Sequence, residues 1–231
     1  VSWTEPQFSD NCSYNVTTTH TSGDTFPVGI TTVNYSVTDA SGNAAQCQFT
    51  VEVLSLPMSV TLEPSQFQCG FNISCNGSSD GNITATVNGG CPPYQYLWNN
   101  GATNSVVSGL PVGDYQLSVT DANGDIISSS ITLIEPTPIS TSSIQISTYN
   151  GGLNLSCNGS NDGTIDVSFT GGASCELYYY SWTGPNGFTS SDEDISGLSA
   201  GNYSLSLTDA NGCIHSETIS LAEPTALVIS T

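Results

Sequence analysis

Apolar side chains take every second position from Ile83 through Ala85 to Val87, and the same beat returns at Tyr94, Tyr96 and Trp98, at Tyr115, Leu117 and Val119, and at Ile131 and Leu133. A period of two turns one face of a β-strand inward and leaves the other in water. Gly, Asn, Asp and Pro cluster between these runs, where tight turns need them. No stretch keeps a helical period over any length. The chain reads as all-β.

The pattern then repeats. "SCNGSSDGNITATVNGG" (Ser74–Gly90) returns as "SCNGSNDGTIDVSFTGG" (Ser156–Gly172), "YQYLW" as "YYYSW", and "SGLPVGDYQLSVTDANG" as "SGLSAGNYSLSLTDANG". The second copy alternates at Ile165, Val167, Phe169, then Tyr180, Trp182, then Tyr203, Leu205, Leu207, then Ile219, Leu221. A period above 80 residues suits one small β domain per copy rather than a solenoid. One Trp on the third strand (Trp98, Trp182) and one Tyr opening the penultimate strand (Tyr115, Tyr203) fit an immunoglobulin-like sandwich. The indoles would fill the space between sheets, and the tyrosines would bond back to backbone. A shorter module precedes the copies, with Val33, Tyr35, Val37 and Phe49, Val51, Val53 facing in.

The expected domains are 1–54, 55–136 and 137–225, with 226–231 as the first strand of a following repeat, so that the chain reads as an excerpt. The links "LSLP" and "EPTP" carry proline, which stiffens a joint. Tandem sandwich modules arranged as an extended rod are therefore expected.

Charge narrows the partners. Of 231 residues none is Lys or Arg, against 20 Asp and Glu, for a formal charge of −20. The carboxylates must be solvated, bonded to backbone N–H groups, or bound to cations. Nucleic acid and anionic membrane surfaces are excluded as partners, since both need basic side chains. No apolar run is long enough for membrane insertion.

Eight cysteines point to an oxidising compartment. Zinc fits poorly, because no CxxC occurs and His20 and His215 lie in different modules. Cys12 and Cys47 bracket the strands of the first module and are expected to pair. In the copies Cys75–Cys91 and Cys157–Cys175 are favoured as equivalent pairs. Cys69 and Cys213 stay unassigned, with Cys175–Cys213 as the rival.

Three motifs invite chemistry. "GSSDG" (Gly77–Gly81) has the spacing of a nucleophile elbow, but the second copy puts Asn161 where the serine would be and the first has no histidine. No enzyme is expected. The phrases "TDASGN", "TDANGD" and "TDANGC" hold Asp39, Asp121 and Asp209 at the start of a turn. One reading is a tight turn stabilised by the aspartate. The other is calcium held by Asp121, Asn123 and Asp125, with the acidic cluster Asp192, Glu193, Asp194 as a further candidate. No other cofactor is expected. Tyr178, Tyr179 and Tyr180 form the one aromatic cluster that would suit a glycan platform.

The first module resembles the C-terminal part of a hyalin (HYR) repeat through "DNC", "FPVG", "VTDASGN" and the Cys12/Cys47 pair. The copies resemble the SprB-type repeats of gliding Bacteroidota adhesins through "SCNG", the GG-to-Trp stretch, "TDANG" and the closing "EP". The resemblance implies secretion to the cell surface, a giant adhesin filament and a role in gliding or attachment. It also implies neighbouring repeats, other filaments, and an extracellular surface or glycan as partners. Asp125 stands where the second copy has Cys213, and Cys91 and Cys175 occupy a loop that is more often Gly-Thr-Pro. The disulfide pattern therefore cannot be copied from the family.

Overall fold

The computed structural model describes residues 1–175 and 178–229, and these form small antiparallel sheets with no helix beyond single turns. Within this all-β chain no described helix is long and apolar enough to cross a membrane. The chain divides into two compact units. The first holds Val1–Val60, Val87–Tyr96 and Ser118–Ser128; the second holds Thr61–Thr86, Leu97–Leu117 and the chain from Ser129 onward.

The first module is a single sheet of β1 (Tyr14–Thr18), β2 (Gly29–Asp39) and β3 (Ala44–Val53), in that order. Three side chains are buried, Val33, Tyr35 and Val51, with Trp3, Phe8, Phe26, Phe49 and Val53 packed on them. The segment before β1, residues 1–13, is irregular. One sheet cannot cover its own apolar face, so Trp3 closes it, edge-on to Phe26 and Phe49 at 5.9 and 5.2 Å. The Trp3 indole donates to the Tyr35 hydroxyl at 2.9 Å, and that hydroxyl donates to Glu5.

The first copy has β4 (Ser59–Pro64), β5 (Gly81–Asn88), β6 (Gln95–Trp98), β7 (Val106–Leu110), β8 (Gly113–Thr120) and β9 (Ile126–Leu133). They pair as two sheets, β4-β5-β7 and β6-β8-β9.

The second copy supplies β10 (Ser140–Ile146), β11 (Gly163–Thr170), β12 (Tyr179–Thr183), β13 (Thr189–Ser190), β14 (Ile195–Leu198), β15 (Gly201–Thr208) and β16 (Ile214–Leu221). Its sheets run β10-β11-β14 and β13-β12-β15-β16, an immunoglobulin-like arrangement. The alternation has the phase needed to fill the space between sheets: Ile165, Val167, Trp182, Tyr203, Leu205 and Leu207 are all buried. Trp98 and Trp182 are each 1% exposed, and each of their indole N–H groups finds a backbone carbonyl, Asn104 at 2.9 Å and Asp192 at 3.0 Å. Tyr115 and Tyr203 donate to the carbonyls of Pro111 and Ser199, four residues upstream, at 2.9 and 3.0 Å.

Candidate functional site

The turn that the chain repeats works first on itself. In the second copy Asp209 is 2% exposed and both its carboxylate oxygens are taken by backbone. Oδ1 accepts the N–H groups of Asn211 and Cys213 at 2.9 Å each, and Oδ2 accepts the N–H of Ala173 at 2.7 Å. Asp121 does the same for Asn123, Asp125 and, 30 residues away, Cys91. The Cys91 N–H comes first among the bonds that hold the Asp121 pKa below the ordinary carboxylate value. Asp39 in the first module keeps only local partners, Ser41 and Asn43. Thus the aspartate closes its turn and, in the copies, fastens a second loop to it.

That second loop is where the incoming link lands. Gly172 donates to the Thr137 carbonyl at 2.8 Å, and Gly90 donates to Leu56 at the same distance. Gly171 and Gly172 have φ of 91° and 59°, and a Cβ on Gly171 would overlap the Pro138 carbonyl. Glycine is required there by both dihedral and space.

The trailing end of each copy is held by residues that pattern alone does not mark. Asn76 Nδ2 and Gly77 N–H grip the two oxygens of Glu135 at 3.0 and 2.7 Å; Asn158 and Gly159 grip Glu223 at 3.1 and 2.7 Å. The buried amides Asn72 and Asn154 stitch the two edges of their domains together. Asn72 donates to Ser65 and accepts from Ile134, while Asn154 does so with Ser147 and Ala222. The internal repeat held this signal, since "NIS" and "NLS" precede the "CNGS" of each copy and "EP" ends it.

Within the second unit, the leading end of the second copy meets this trailing end of the first. Asn211 turns its amide between two backbone groups, accepting from the Gln68 N–H and donating to the Ser74 carbonyl, both at 2.9 Å. Two disulfides flank it, Cys69–Cys175 and Cys75–Cys213, with Cα–Cα distances of 5.5 and 5.7 Å. The joint therefore carries covalent and hydrogen-bonded connections in one place.

These bonds correct the sequence expectation. Cys75 and Cys91 flank β5, and Cys157 and Cys175 flank β11, each strand having eight residues. An extended strand of that length separates its ends by roughly 25 Å, whereas bridged Cα atoms lie within about 7 Å. Cys75 and Cys175 therefore bond across the joint, and Cys91 and Cys157 are free. The rival Cys175–Cys213 is excluded too, since each has another partner. Cys12 and Cys47 are exposed free thiols. Ala40 bonds to Ser13 beyond the end of β2, whereas Cys47 sits in register with Tyr35, five residues back along it. That is about 16 Å along the sheet, with β2 between them.

The other candidates have local roles. "GSSDG" is a loop that leads into β5, not into a helix, and Asp80 accepts from the Ser74 N–H at 3.1 Å. Of the calcium trio, Asp121 spends both oxygens on backbone, and Asn123 and Asp125 are exposed. Asp194 likewise accepts from the Val167 N–H at 3.0 Å. Among the described residues no three His, Cys, Asp or Glu side chains gather as a metal would need. Tyr179 is 70% exposed, but Tyr178 and Tyr180 pack on the core. Burial, and after it Glu193, push the Tyr180 phenol pKa well above its ordinary value. One exposed ring is not a platform.

Residues 1–53 match the HYR domain family, and residues 72–103 and 154–187 match the SprB repeat family. The mouse protein named "Sushi, von Willebrand factor type A, EGF and pentraxin domain-containing protein 1" is 35% identical over 117 residues, covering 42% of this chain and 3% of that protein. Hyalin of Strongylocentrotus purpuratus is 33% identical over 146 residues, 58% of this chain and 12% of hyalin. The chain thus spans a small fraction of either relative. Among solved structures, the C-terminal fragment of intimin in complex with the intimin-binding domain of its receptor aligns over 91% of this chain at 11% identity, with a TM-score of 0.29. The chain carries an HYR domain followed by two SprB repeats.

Proposed function

We infer that this chain is a non-catalytic structural segment of a long extracellular adhesin filament, serving cell-surface adhesion in gliding or in biofilm attachment. Its repeats hold an extended rod, and its acidic, hydroxyl-rich surface meets an external surface, a glycan or neighbouring filaments. The observation that carries this reading is the joint between the two repeats. A chain that must transmit force gains most from covalent bonds where domains meet, because there the buried area is small and the bending leverage large. Two disulfides, the Asn211 bridge and the Glu135 clamp are concentrated at that point. The HYR and SprB matches support an adhesion-type role, and the cysteine bonds fit an oxidising exterior.

Small-angle scattering of the 231-residue chain with and without reductant tests the reading. An elongated profile whose maximum dimension becomes broader and more variable on reduction is expected. A compact profile near that of one globular domain of this length would overturn it.

A further inference from the structure

The two repeats end alike but are not covered alike. In the first, Ser74 and Cys75 are half-buried, because Asn211 and Cys213 of the second stand against them. In the second, the equivalent Ser156 and Cys157 are exposed, and Cys157 is a free thiol. Everything else that shapes the docking end is already set there. Glu223 is gripped by Asn158 and Gly159, Asn154 stitches Ser147 to Ala222, and the Ser160-to-Cys157 turn bond of 3.2 Å repeats the Ser78-to-Cys75 bond of 3.0 Å. The link Glu223-Pro224-Thr225 repeats Glu135-Pro136-Thr137 letter for letter.

We propose that the trailing end of the second repeat is a docking face for a further SprB repeat, joined through Glu223-Pro224-Thr225, whose T-D-A-N-G-C cysteine forms a disulfide with Cys157. This rests on the reading of the first joint as a stapled connection. A second copy of the present chain does not fit as the occupant. Its Cys213 is already bonded to Cys75, and its first repeat has Asp125 at the turn position. In the reaction two thiols lose two protons and two electrons to an existing small-molecule or protein disulfide, which leaves as two thiols. This joint carries one staple where the first has two. Gly151, with φ 86°, takes the backbone position that Cys69 holds at φ 62°.

The test extends the full chain by a copy of residues 138–223 placed after Thr225, oxidised with glutathione disulfide. Peptides are mapped unreduced after acid protease digestion, since trypsin has no site in this sequence. Cys157 is expected to join the appended repeat's copy of Cys213, while the appended copy of Cys157 stays alkylatable. Replacing that appended Cys213 copy by Ser should leave Cys157 alkylatable as well. A fully alkylated Cys157 beside an intact Cys75–Cys213 bond, or Cys157 bonded elsewhere, would overturn the proposal and leave the first joint standing. Loss of both bonds would overturn the joint reading itself.

Discussion

The HYR domain and the second SprB repeat solve the same problem with different means. The repeat closes two sheets over twelve buried apolar side chains, whereas the HYR sheet buries three and borrows Trp3 and Phe8 from its irregular leading segment and Phe26 from the β1–β2 connection as a lid. The repeat is also disulfide-bonded, and the HYR domain has two free thiols. A single sheet can be made stable only as far as something else covers it. The HYR domain should therefore be the weaker body. Each of Trp3, Trp98 and Trp182 lies in a different module and can report on it by fluorescence.

The largest effect should come from reduction. The Cys69–Cys175 bond closes a loop spanning 106 residues, for which chain entropy alone gives about 4–5 kcal/mol. The second bond encloses much of the same loop and adds less. In urea titrations of a variant with Trp182 as its sole indole, reductant should move the midpoint strongly downward. The matching Trp3 variant should hardly respond. Equal shifts in both would break the comparison.

Truncating the indoles should rank the cores. Trp182→Ala removes a ring that is 1% exposed and should cost about 3–5 kcal/mol. Trp3→Ala should cost less in total, since its ring already meets water, yet it should leave the HYR domain largely unfolded because so little core remains. Hydrogen exchange read after acid proteolysis would show protection lost throughout β1–β3 in the second variant. Protection that is lost only near Trp3 would show the lid to be dispensable.

Much of this architecture was written in the period-two pattern. Ile83, Trp98, Tyr115, Leu117 and their counterparts lie buried where alternation put them, because a sandwich core is filled strand by strand and each strand carries its own phase. The joint was not legible in the same way. Asn211 reads as a turn former, and its second task depends on a backbone donor and acceptor more than 130 residues earlier. Pairing Cys75 with Cys91 and Cys157 with Cys175 rests on their equivalent places in the two copies, although the extended strand between the members of each pair keeps them apart. Nothing in the period-two pattern sets Glu135 apart from the other carboxylates. Only the recurrence of "CNGS" and "EP" in both copies hinted that the two meet.

A smaller contrast lies in the buried hydroxyls. Tyr203→Phe removes one bond to the Ser199 carbonyl and should cost about 1 kcal/mol. Tyr35→Phe strips the acceptor of the Trp3 indole and a donor to Glu5 together. It should therefore be the more damaging of the two, and more so relative to its small core. Midpoints of the two variants decide the order; the reverse ranking would mean that the Trp3–Tyr35–Glu5 chain contributes little.

The smallest expected effect is acid sensitivity, and it separates the local Asp39 turn from the cross-loop Asp121 clamp. Both carboxyls have folded pKa values below the ordinary 3.8, Asp39 chiefly through the Asn43 side chain and Asp121 chiefly through the Cys91 N–H. A depressed folded pKa means that the unfolded chain takes up protons first. The stability from each clamp is thus complete above about pH 5 and drains away as pH falls below about 4. Against this runs the charge of −20, whose self-repulsion also fades as carboxylates protonate. Working in about 1 M salt shortens the screening length to roughly 3 Å and suppresses that opposing term. Under those conditions thermal midpoints should be flat from pH 8 to 5 and fall below pH 4, with Asp39→Asn and Asp121→Asn each flattening the fall. The Asp121 variant should also speed hydrogen exchange at Cys91, because its bond reaches the second loop, while the Asp39 variant should loosen only Ser41–Asn43. If Asp121→Asn left Cys91 as protected as before, the aspartate would be closing its own turn and nothing more.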